Sequence, residues 1–327
     1  MQKFIVEHSP NLKGSVKIGG SKNAVLPCLA ATLLTEEGCT IKNVPPLEDV
    51  LVMKNLLTDL GGIVILDEKE KIVYVQASEI IKAEADFELV SKMRASFLVM
   101  GPLLARKGFA KVALPGGCAI GTRSVDLHLK GLTALGAEVS QENGYVMAKT
   151  KGLRGAKIYL DFPSVGATEN IMMAAVLASG ESIIENAAVE PEIVDLANLL
   201  VAMGADITGI GTDTLKINGV EKLRGVEYRI IPDRIEAGTF MVAAAITDGD
   251  IILEDVMIDD LKPIVAKLKE ANITVKETGN SIRVFRESGV ELKGVDIKTM
   301  PYPGFPTDMQ AQFMALLAVT EGSSEVT

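Results

Sequence analysis

The most reactive group in this sequence is a cysteine set among glycines. Cys118 lies in Leu114-Pro115-Gly116-Gly117-Cys118-Ala119-Ile120-Gly121-Thr122-Arg123, where three glycines and a proline predict a surface loop rather than a core strand. An accessible thiol beside Arg123 has a lowered pKa, which suits general acid chemistry or covalent capture of an electrophile. The other cysteines are of a different kind. Cys28 sits in the apolar stretch Val25-Leu26-Pro27-Cys28-Leu29 and Cys39 opens a strand-like stretch, so both read as inert packing. The surroundings of Cys118 match neither papain-like nor caspase signatures. No histidine partner is evident, and His8 and His128 are far apart, which makes a zinc site improbable.

A second set of polar residues recurs at the starts of apolar segments. Lys22-Asn23, Arg94, Ser164-Val165-Gly166, Asp233-Arg234 and Asp308 each open such a segment. Lys22, Arg94, Gly166, Arg234 and Asp308 lie 16, 14, 14, 15 and 14 residues before the glycine that ends it, so they are equivalent positions. If the repeats are related by rotation, these helix starts converge on one face. Free backbone N–H groups and the helix dipole make that face attractive to phosphates, and Lys and Arg strengthen it. Each residue also has an ordinary reading. Asp308 and Asp233 fit N-caps, Lys22 and Arg94 fit solvated charges, and Ser164-Val165-Gly166 fits a cap and turn. Their joint recurrence is what points to a site.

The elements that must position these residues follow from a repeat. Segments 22–38, 94–108, 166–180, 234–249 and 308–322 are apolar nearly all round, and their terminal glycines, 38, 108, 180, 249 and 322, are 70, 72, 69 and 73 residues apart. They predict buried helices over 25–34, 96–105, 171–178, 239–246 and 310–319. A strand follows each of the first four glycines, then a more amphipathic helix. That second helix ends in Asp59-Leu60-Gly61-Gly62, Ala134-Leu135-Gly136-Ala137, Ala202-Met203-Gly204-Ala205 or Lys269-Glu270-Ala271-Asn272. Glycine suits the C-cap, and the fourth copy has Ala271 at that place. Hairpins follow, with turn signals at Glu142-Asn143-Gly144, Gly211-Thr212-Asp213 and Thr278-Gly279-Asn280. The unit is strand–helix–strand–helix–strand–strand. Buried helices among sheets predict an inside-out α/β arrangement, helices within and sheet outside. A fifth repeat begins and Thr327 follows its glycine by five residues, so the chain is expected to be truncated there.

Bulk properties bound the remaining choices. The 327 residues allow about two domains, and 48% apolar residues support a large core. No apolar run reaches the ~18 residues of a membrane span, and residues 1–14 lack a signal-peptide core. Three cysteines without an export signal or metal-type spacing fit a reducing cytosol. A net charge of −10 argues against a nucleic-acid partner, while a few local cations still suit a small anionic substrate.

The strings Gly19-Gly20-Ser21-Lys22-Asn23, Met93-Arg94-Ala95-Ser96, the loop 114–129, Ser164-Val165-Gly166-Ala167-Thr168, Glu185-Asn186-Ala187-Ala188 with Glu190-Pro191-Glu192-Ile193-Val194-Asp195, Pro232-Asp233-Arg234-Ile235-Glu236 and Phe305-Pro306-Thr307-Asp308-Met309-Gln310-Ala311-Gln312 resemble, in order and over the whole chain, the enolpyruvyl transferase family in its branch acting on UDP-N-acetylglucosamine. The cysteine loop and the Pro-Thr-Asp-Met-Gln string are together highly specific. The resemblance implies a two-lobed inside-out α/β barrel, with residues 22–231 as a first lobe of three repeats and residues 1–21 plus 232–327 as an incomplete second lobe. It implies that the 3′-hydroxyl of UDP-N-acetylglucosamine adds to C2 of phosphoenolpyruvate as C3 gains a proton, after which phosphate leaves. That reaction is the first committed step toward peptidoglycan. By the resemblance, Cys118 donates the proton and can form a thioether-type adduct, and Asp308 accepts the hydroxyl proton. Lys22 and Arg123 hold phosphate and carboxylate charge, and Asn23 orients the reacting centre. Arg94, the run Arg123, Ser124, Val125, Asp126 and Leu127, the segment Phe162, Pro163, Ser164, Val165 and Gly166, and Asp308 contact the nucleotide sugar, while Glu190, Asp233 and Arg234 line the cleft.

The same resemblance implies no metal or organic cofactor; the bulk properties above argue against a nucleic-acid or membrane partner and for a cytoplasmic location, and the oligomeric state is left open. Ser124 departs from the family's usual proline, and Phe162-Pro163 stands where some members carry a lysine near the uridine. Family chains are longer by roughly a repeat and a fraction, which carries a further arginine for phosphoenolpyruvate. Three other readings stand beside this one: the shikimate 3-phosphate branch, which lacks the cysteine loop; a non-catalytic nucleotide-sugar-binding paralogue; and an inactive fragment.

Overall fold

The computed structural model describes residues 3–5, 7, 11–85, 87–114 and 125–327. Along them one pattern is laid down four times. The first copy runs β1 (Lys13–Lys17), α1 (Lys22–Ala31), β2 (Cys39–Lys42), α2 (Glu48–Asp59), β3 (Ile63–Asp67) and β4 (Ile72–Gln76). The second runs β5 (Glu84–Ala85), a short α3 (Phe87–Val90), a 3-10 turn over Arg94–Val99 that leads into α4 (Met100–Lys107), then β6 (Phe109–Ala113), α5 (Asp126–Ala134), β7 (Glu138–Glu142) and β8 (Tyr145–Lys149). The third is β9 (Lys157–Tyr159), α6 (Val165–Ala175), β10 (Glu181–Glu185), α7 (Pro191–Ala202), β11 (Asp206–Thr208) and β12 (Thr214–Asn218). The fourth is β13 (Glu227–Arg229), α8 (Arg234–Ile246), β14 (Asp250–Glu254), α9 (Lys262–Glu270), β15 (Thr274–Thr278) and β16 (Ser281–Phe285). Helix α10 (Gln310–Leu317) follows.

The strands make four sheets of identical plan, ordered β13-β2-β4-β3, β5-β6-β8-β7, β9-β10-β12-β11 and β1-β14-β16-β15. In each, a hairpin adds antiparallel to the strand after the buried helix, and the remaining edge strand lies parallel to that strand. The edge strand comes from its own repeat in the second and third copies. In the other two sheets it is exchanged: β13 completes the sheet of β2, with Glu227 opposite Thr40, and β1 completes the sheet of β14, with Lys13 opposite Asp250. The chain accordingly forms two compact units, Gly20–Ile231, and Met1–Gly19 with Pro232–Thr327.

In the larger unit the apolar segments are interior, as their all-round composition requires. Residues 24–31 of α1 and 167–175 of α6 are buried without exception. The strands around them alternate, as in β2 and β4, with one face toward the helices and the other toward solvent. Beyond α1, Arg106 donates to the carbonyls of Leu33, Thr35 and Ala77 at 3.0, 3.1 and 2.7 Å, satisfying acceptors left at a helix end. The smaller unit has its own core, built on Met241, Leu253, Ile264, Leu268, Ile282 and Phe313. Its helices are less enclosed than predicted. Only Phe313 and Leu316 of α10 are buried, and Met314 is 51% exposed, because one four-stranded sheet among the described residues covers these helices instead of three.

Helix boundaries also shift. The predicted helix 25–34 begins at Lys22 and tightens into a 3-10 turn at Thr32–Leu34, and the predicted helix 96–105 is 3-10 before it is α. The repeated second-helix ending is a left-handed cap. Gly61, Gly136 and Gly204 have φ of 109°, 93° and 106°, and in the fourth copy the position is taken by Asn272, at 67°. The cap hydrogen bonds place Asn272, not Ala271, in register with Gly61. Asparagine visits this region more readily than other side-chain-bearing residues, and here its Nδ2 also donates to Glu291 O, 19 residues further on, at 3.0 Å. Asn272→Ala is expected to cost about 1 kcal/mol and Asn272→Gly much less. Urea unfolding reads both, and equal midpoints for the two variants would contradict the cap assignment.

Candidate active site

In the larger unit the predicted site residues sit at helix starts. Ser21 Oγ caps α1 by accepting from Ala24 N at 3.3 Å, which leaves Lys22 and Asn23 exposed on the first turn. Lys22 Nζ lies 3.3 Å from Asp49 Oδ2 at the start of α2. Ser164 Oγ caps α6 by accepting from Ala167 N at 3.4 Å, and Ser164 O accepts from Thr168 Oγ1 at 2.8 Å. Val165, Gly166, Pro163 and Arg94 are half-buried, and Phe162 is exposed. Helix α5 opens at exposed Asp126, after buried Val125 and before half-buried Leu127. Cys118, Arg123 and Ser124 lie outside the described residues.

Three of these starts meet at His128, on α5. A Cβ on Gly166 would come within 3.2 Å of His128 Cε1 and 3.4 Å of Nε2, so the first turn of α6 passes close to the imidazole and a larger residue there would require the ring to give by a few tenths of an ångström. The ring of Phe97 packs edge-on against it, centroids 5.2 Å apart. Burial, with the positive charge of Arg94 adding to it, lowers the imidazole pKa to about 4. The ring is therefore neutral at physiological pH. Asn170, one turn along α6, donates from Nδ2 to Phe97 O at 3.1 Å and stands 3.2 Å from His128 Nδ1, while its Oδ1 accepts from Gly101 N at 2.6 Å.

A second group gathers between α1, α6 and α7. Glu190 occupies the N-cap position of α7 without a side-chain cap hydrogen bond, and Glu169, Glu192 and Asp195 are buried on α6 and α7. Burial raises the Glu169 carboxyl well above its ordinary value, and the charges of Glu192 and then Glu190 raise it further. Asp195 accepts from Tyr228 Oη at 2.7 Å, and Tyr228 is raised by burial first and by Asp195 second. Cys28 is raised by burial, then by Asp195 and Glu169. Cys39 is raised by burial and by Glu37, against a backbone hydrogen bond from Val226. Both are the inert, enclosed thiols expected of them.

In the smaller unit Asp233 does cap a helix: its Oδ1 accepts from Ile235 N at 2.8 Å and Glu236 N at 3.0 Å. Arg234 stands over the Tyr302 ring, 5.7 Å from its centroid. Glu236 Oε2 accepts from Gly19 N at 2.7 Å. Asp308 is exposed inside the 3-10 turn Thr307–Met309, and neither that turn nor α10 takes a side-chain cap. The capping alternative for Asp308 is thus not realised. A cavity of about 470 Å³ in this unit is lined by Pro263, Lys267, Asp296, Lys298, Phe305 and Glu325, among others, and none of the predicted site residues lines it. Among the described residues no group of three or more His, Cys, Asp and Glu is arranged to hold a metal, and no helix is long and apolar enough to cross a membrane.

Sequence reasoning missed the roles of Glu169, Asn170 and His128. The available signal was polarity in the wrong place: Glu169-Asn170 interrupts an apolar helix, and a buried polar group needs partners.

The fold is that of the enolpyruvyl transferases. The chain superposes on the enolpyruvyl transferase NikO from Streptomyces tendae with a TM-score of 0.86 at 22% identity, covering 97% of this chain and 76% of that one. It superposes on EPSP synthase from Acinetobacter baumannii with a TM-score of 0.73 at 22% identity, covering 99% and 75%. The family described as EPSP synthase (3-phosphoshikimate 1-carboxyvinyltransferase) matches residues 6–327. Identity is 56% over 325 residues to UDP-N-acetylglucosamine 1-carboxyvinyltransferase 1 of Caldanaerobacter subterraneus, covering 99% of this chain and 77% of the relative. It is also 56%, over 327 residues, to UDP-N-acetylglucosamine 1-carboxyvinyltransferase 2 of Carboxydothermus hydrogenoformans, covering 100% and 78%. The chain belongs to the EPSP synthase family and, within it, to the UDP-N-acetylglucosamine 1-carboxyvinyltransferases.

Two measurements test the electrostatics. In the native chain Cys28 and Cys39 are expected to resist alkylation at pH 8 and to react on unfolding, as read by mass spectrometry; labelling of either in the native state would contradict their burial. Glu169, with its folded pKa raised above the ordinary carboxylate value, contributes stability below that value which is lost as pH rises toward the folded one, because the unfolded chain releases the proton first. Glu169→Gln removes this slope. Its urea midpoint relative to wild type is expected to improve from pH 5 to pH 8, and a constant difference would show that Glu169 ionises normally.

Proposed function

We propose that this chain transfers the enolpyruvyl group of phosphoenolpyruvate to the 3′-hydroxyl of UDP-N-acetylglucosamine, releasing phosphate. The observation that carries this is 56% identity, over 99% of the chain, to a relative named for that activity. The solved EPSP synthase, at 22% identity, supports the fold and not the shikimate reaction. The reaction adds the sugar oxygen to C2 of phosphoenolpyruvate while a proton goes to C3. The tetrahedral intermediate then loses a proton from C3 and expels phosphate from C2.

In this reading Cys118 supplies the proton to C3 and Asp308 accepts the hydroxyl proton. A general acid serves best with a pKa near the working pH, and a glycine-rich loop can bring it in as the substrate is enclosed. Lys22 and Arg123 hold phosphate and carboxylate, and Asn23 orients the reacting centre. Arg94, residues 123–127 and residues 162–166 hold the nucleotide sugar, and Glu190, Asp233 and Arg234 line the cleft. What supports these assignments is the placement of Lys22, Asn23, Val165 and Gly166 on the first turns of α1 and α6, where helix dipoles and free N–H groups favour anions. Preorganised cations and dipoles stabilise charge that develops in the transition state. A sequence with three cysteines and no metal-type spacing fits a reducing cytoplasm as the place of the reaction.

Purified chain mixed with UDP-N-acetylglucosamine and phosphoenolpyruvate is expected to release phosphate, and Cys118→Ala to abolish that release. No release from wild type, or equal release from the variant, would overturn the reading. Asp308→Asn is expected to lower turnover by about 10²-fold or more, as loss of a general base does; unchanged turnover would remove Asp308 from the chemistry. Cys118→Asp retains a proton donor without a soft nucleophile. It should keep part of the turnover and lose covalent capture of phosphoenolpyruvate.

A further inference from the structure

The four sheets share one plan, so each repeat shows what the outer face of the others requires. The left-handed caps Gly61, Gly136, Gly204 and Asn272 set the equivalences. Two residues past the cap stand Ile63, Glu138, Asp206 and Thr274, and four past it Ile65, Ser140, Thr208 and Lys276. A third position is marked by a shared hydrogen bond. Ile81, Arg154, Arg224 and Lys293 donate from their backbone N to the carbonyls of Leu60, Leu135, Met203 and Ala271, in each case the residue before the cap.

Three repeats fill these positions with polar or charged side chains, as a sheet face turned to water does. Where Ile63 stands opposite Gln76, the second repeat sets Glu138 2.9 Å from Lys149 and the third has Asp206 accept from Asn218 at 2.9 Å. The first repeat alone has isoleucine at all three positions, and Ile63, Ile65 and Ile81 are 56%, 60% and 69% exposed. Half-buried Tyr74 and Ile72, opposite Ile65 and Asp67, extend the apolar surface across β4. Val64 and Leu66, between the exposed residues, pack inward, so the core of the larger unit has no need of the outer isoleucines. Strand β3 also ends its sheet, and edge strands are ordinarily blunted by charge. Here the charge is missing in one copy of four.

We propose that the edge and outer face of β3 form a two-fold contact with a second copy of this chain, β3 pairing antiparallel with β3 of the partner subunit. The pattern along the strand selects this occupant. A two-fold axis at Val64 sets Ile63 opposite Ile65 of the partner subunit, and Ile65 opposite Ile63 of the partner subunit, so the apolar residues meet only one another. An axis at Ile65 would instead set Ile63 against Asp67 of the partner subunit. The charges at the two ends of the strand are also complementary under the first axis. One end carries Asp59 and Lys82, whose side chains are 2.6 Å apart, and the other carries Asp67, Glu68 and Lys69. Antiparallel pairing brings each end to the opposite end of its partner, Lys69 toward Asp59 of the partner subunit and Lys82 toward Asp67 of the partner subunit. Such a self-complementary patch makes a closed, isologous dimer. The contact does not rest on the proposed reaction.

Sedimentation velocity over a dilution series is expected to show a monomer–dimer equilibrium. Combined Ile63→Asp, Ile65→Thr and Ile81→Arg substitutions give the first repeat the residues of the third, and this variant is expected to be a monomer with an unchanged thermal melt. Ile65→Ser alone is expected to raise the dimer dissociation constant about 100-fold, because apolar burial is lost twice per dimer. Cross-linking tests the register without removing the patch. In a Cys118→Ser background, equal amounts of Ile63→Cys and Ile65→Cys chains are expected to form the mixed disulfide dimer in preference to either like pair. Directly opposed residues have Cα atoms about 4.5–5.5 Å apart, within disulfide range, and like residues do not reach it. A wild-type chain that stays monomeric at every concentration, a dimer that survives the triple variant, or cross-linking that favours like pairs would each overturn the proposal. A dimer abolished by Met314→Ser on α10 and untouched by Ile65→Ser would place the contact on the smaller unit and overturn it as well.

Discussion

The structure depends on enclosing helices that have no polar face. Once residues 24–31 and 167–175 are buried on every side, water can reach α1 and α6 only at their ends. Buried polar groups must find protein partners, so chemistry is pushed to the first turns, where the backbone still has unpaired donors. The capped starts at Ser21 and Ser164, with Lys22, Asn23, Val165 and Gly166 on the turns behind them, follow from that enclosure. The two polar residues that do enter the interior of α6 are handled differently. Asn170 is satisfied by contacts to three elements, and Glu169 has its carboxyl pKa raised by desolvation and then by like charge.

Charge is distributed in the same spirit. The chain carries a net −10, yet its helix starts present positive potential. Inside the larger unit burial shifts four groups toward their neutral forms: it lowers the pKa of His128 and raises those of Glu169, Cys28 and Tyr228. A protein interior that penalises every charge makes the exposed ammonium of Lys22 and the half-buried guanidinium of Arg94 the prominent charges at these starts.

The repeat was legible because composition and spacing act together: a helix apolar all round can only be interior, and glycines at near-constant intervals reveal the period. The sheet plan was legible only in part. Alternation and turn residues identify a hairpin, but nothing in Glu227–Arg229 says that it joins Cys39–Lys42 rather than the strand nearest in sequence. Helix starts were legible as polar residues at equivalent positions, while the cap register in the fourth repeat was off by one, since asparagine substitutes for glycine in the left-handed region. Asp308 could not be assigned from its neighbours, because Pro306-Thr307-Asp308 fits an N-cap as well as a 3-10 turn. His128 was illegible for a different reason. Its partner, Asn170, lies 42 positions away, and a buried histidine's partners are set by tertiary contacts alone.

The exchange of edge strands has a consequence for how the chain is made. Strand β1 has no partner until β14 exists, and Lys13 pairs with Asp250. At ~5–20 residues per second, translation leaves β1 alone for roughly 10–50 s. An unpaired strand is a template for adhesion to other chains, and lysine is a common protection against it. Strand β1 is Lys-Gly-Ser-Val-Lys, with only Val16 partly buried in the finished sheet. Its sparse side chains and two ammonium groups suit a segment that must wait, solvated and unattached, through most of the synthesis of the chain it belongs to.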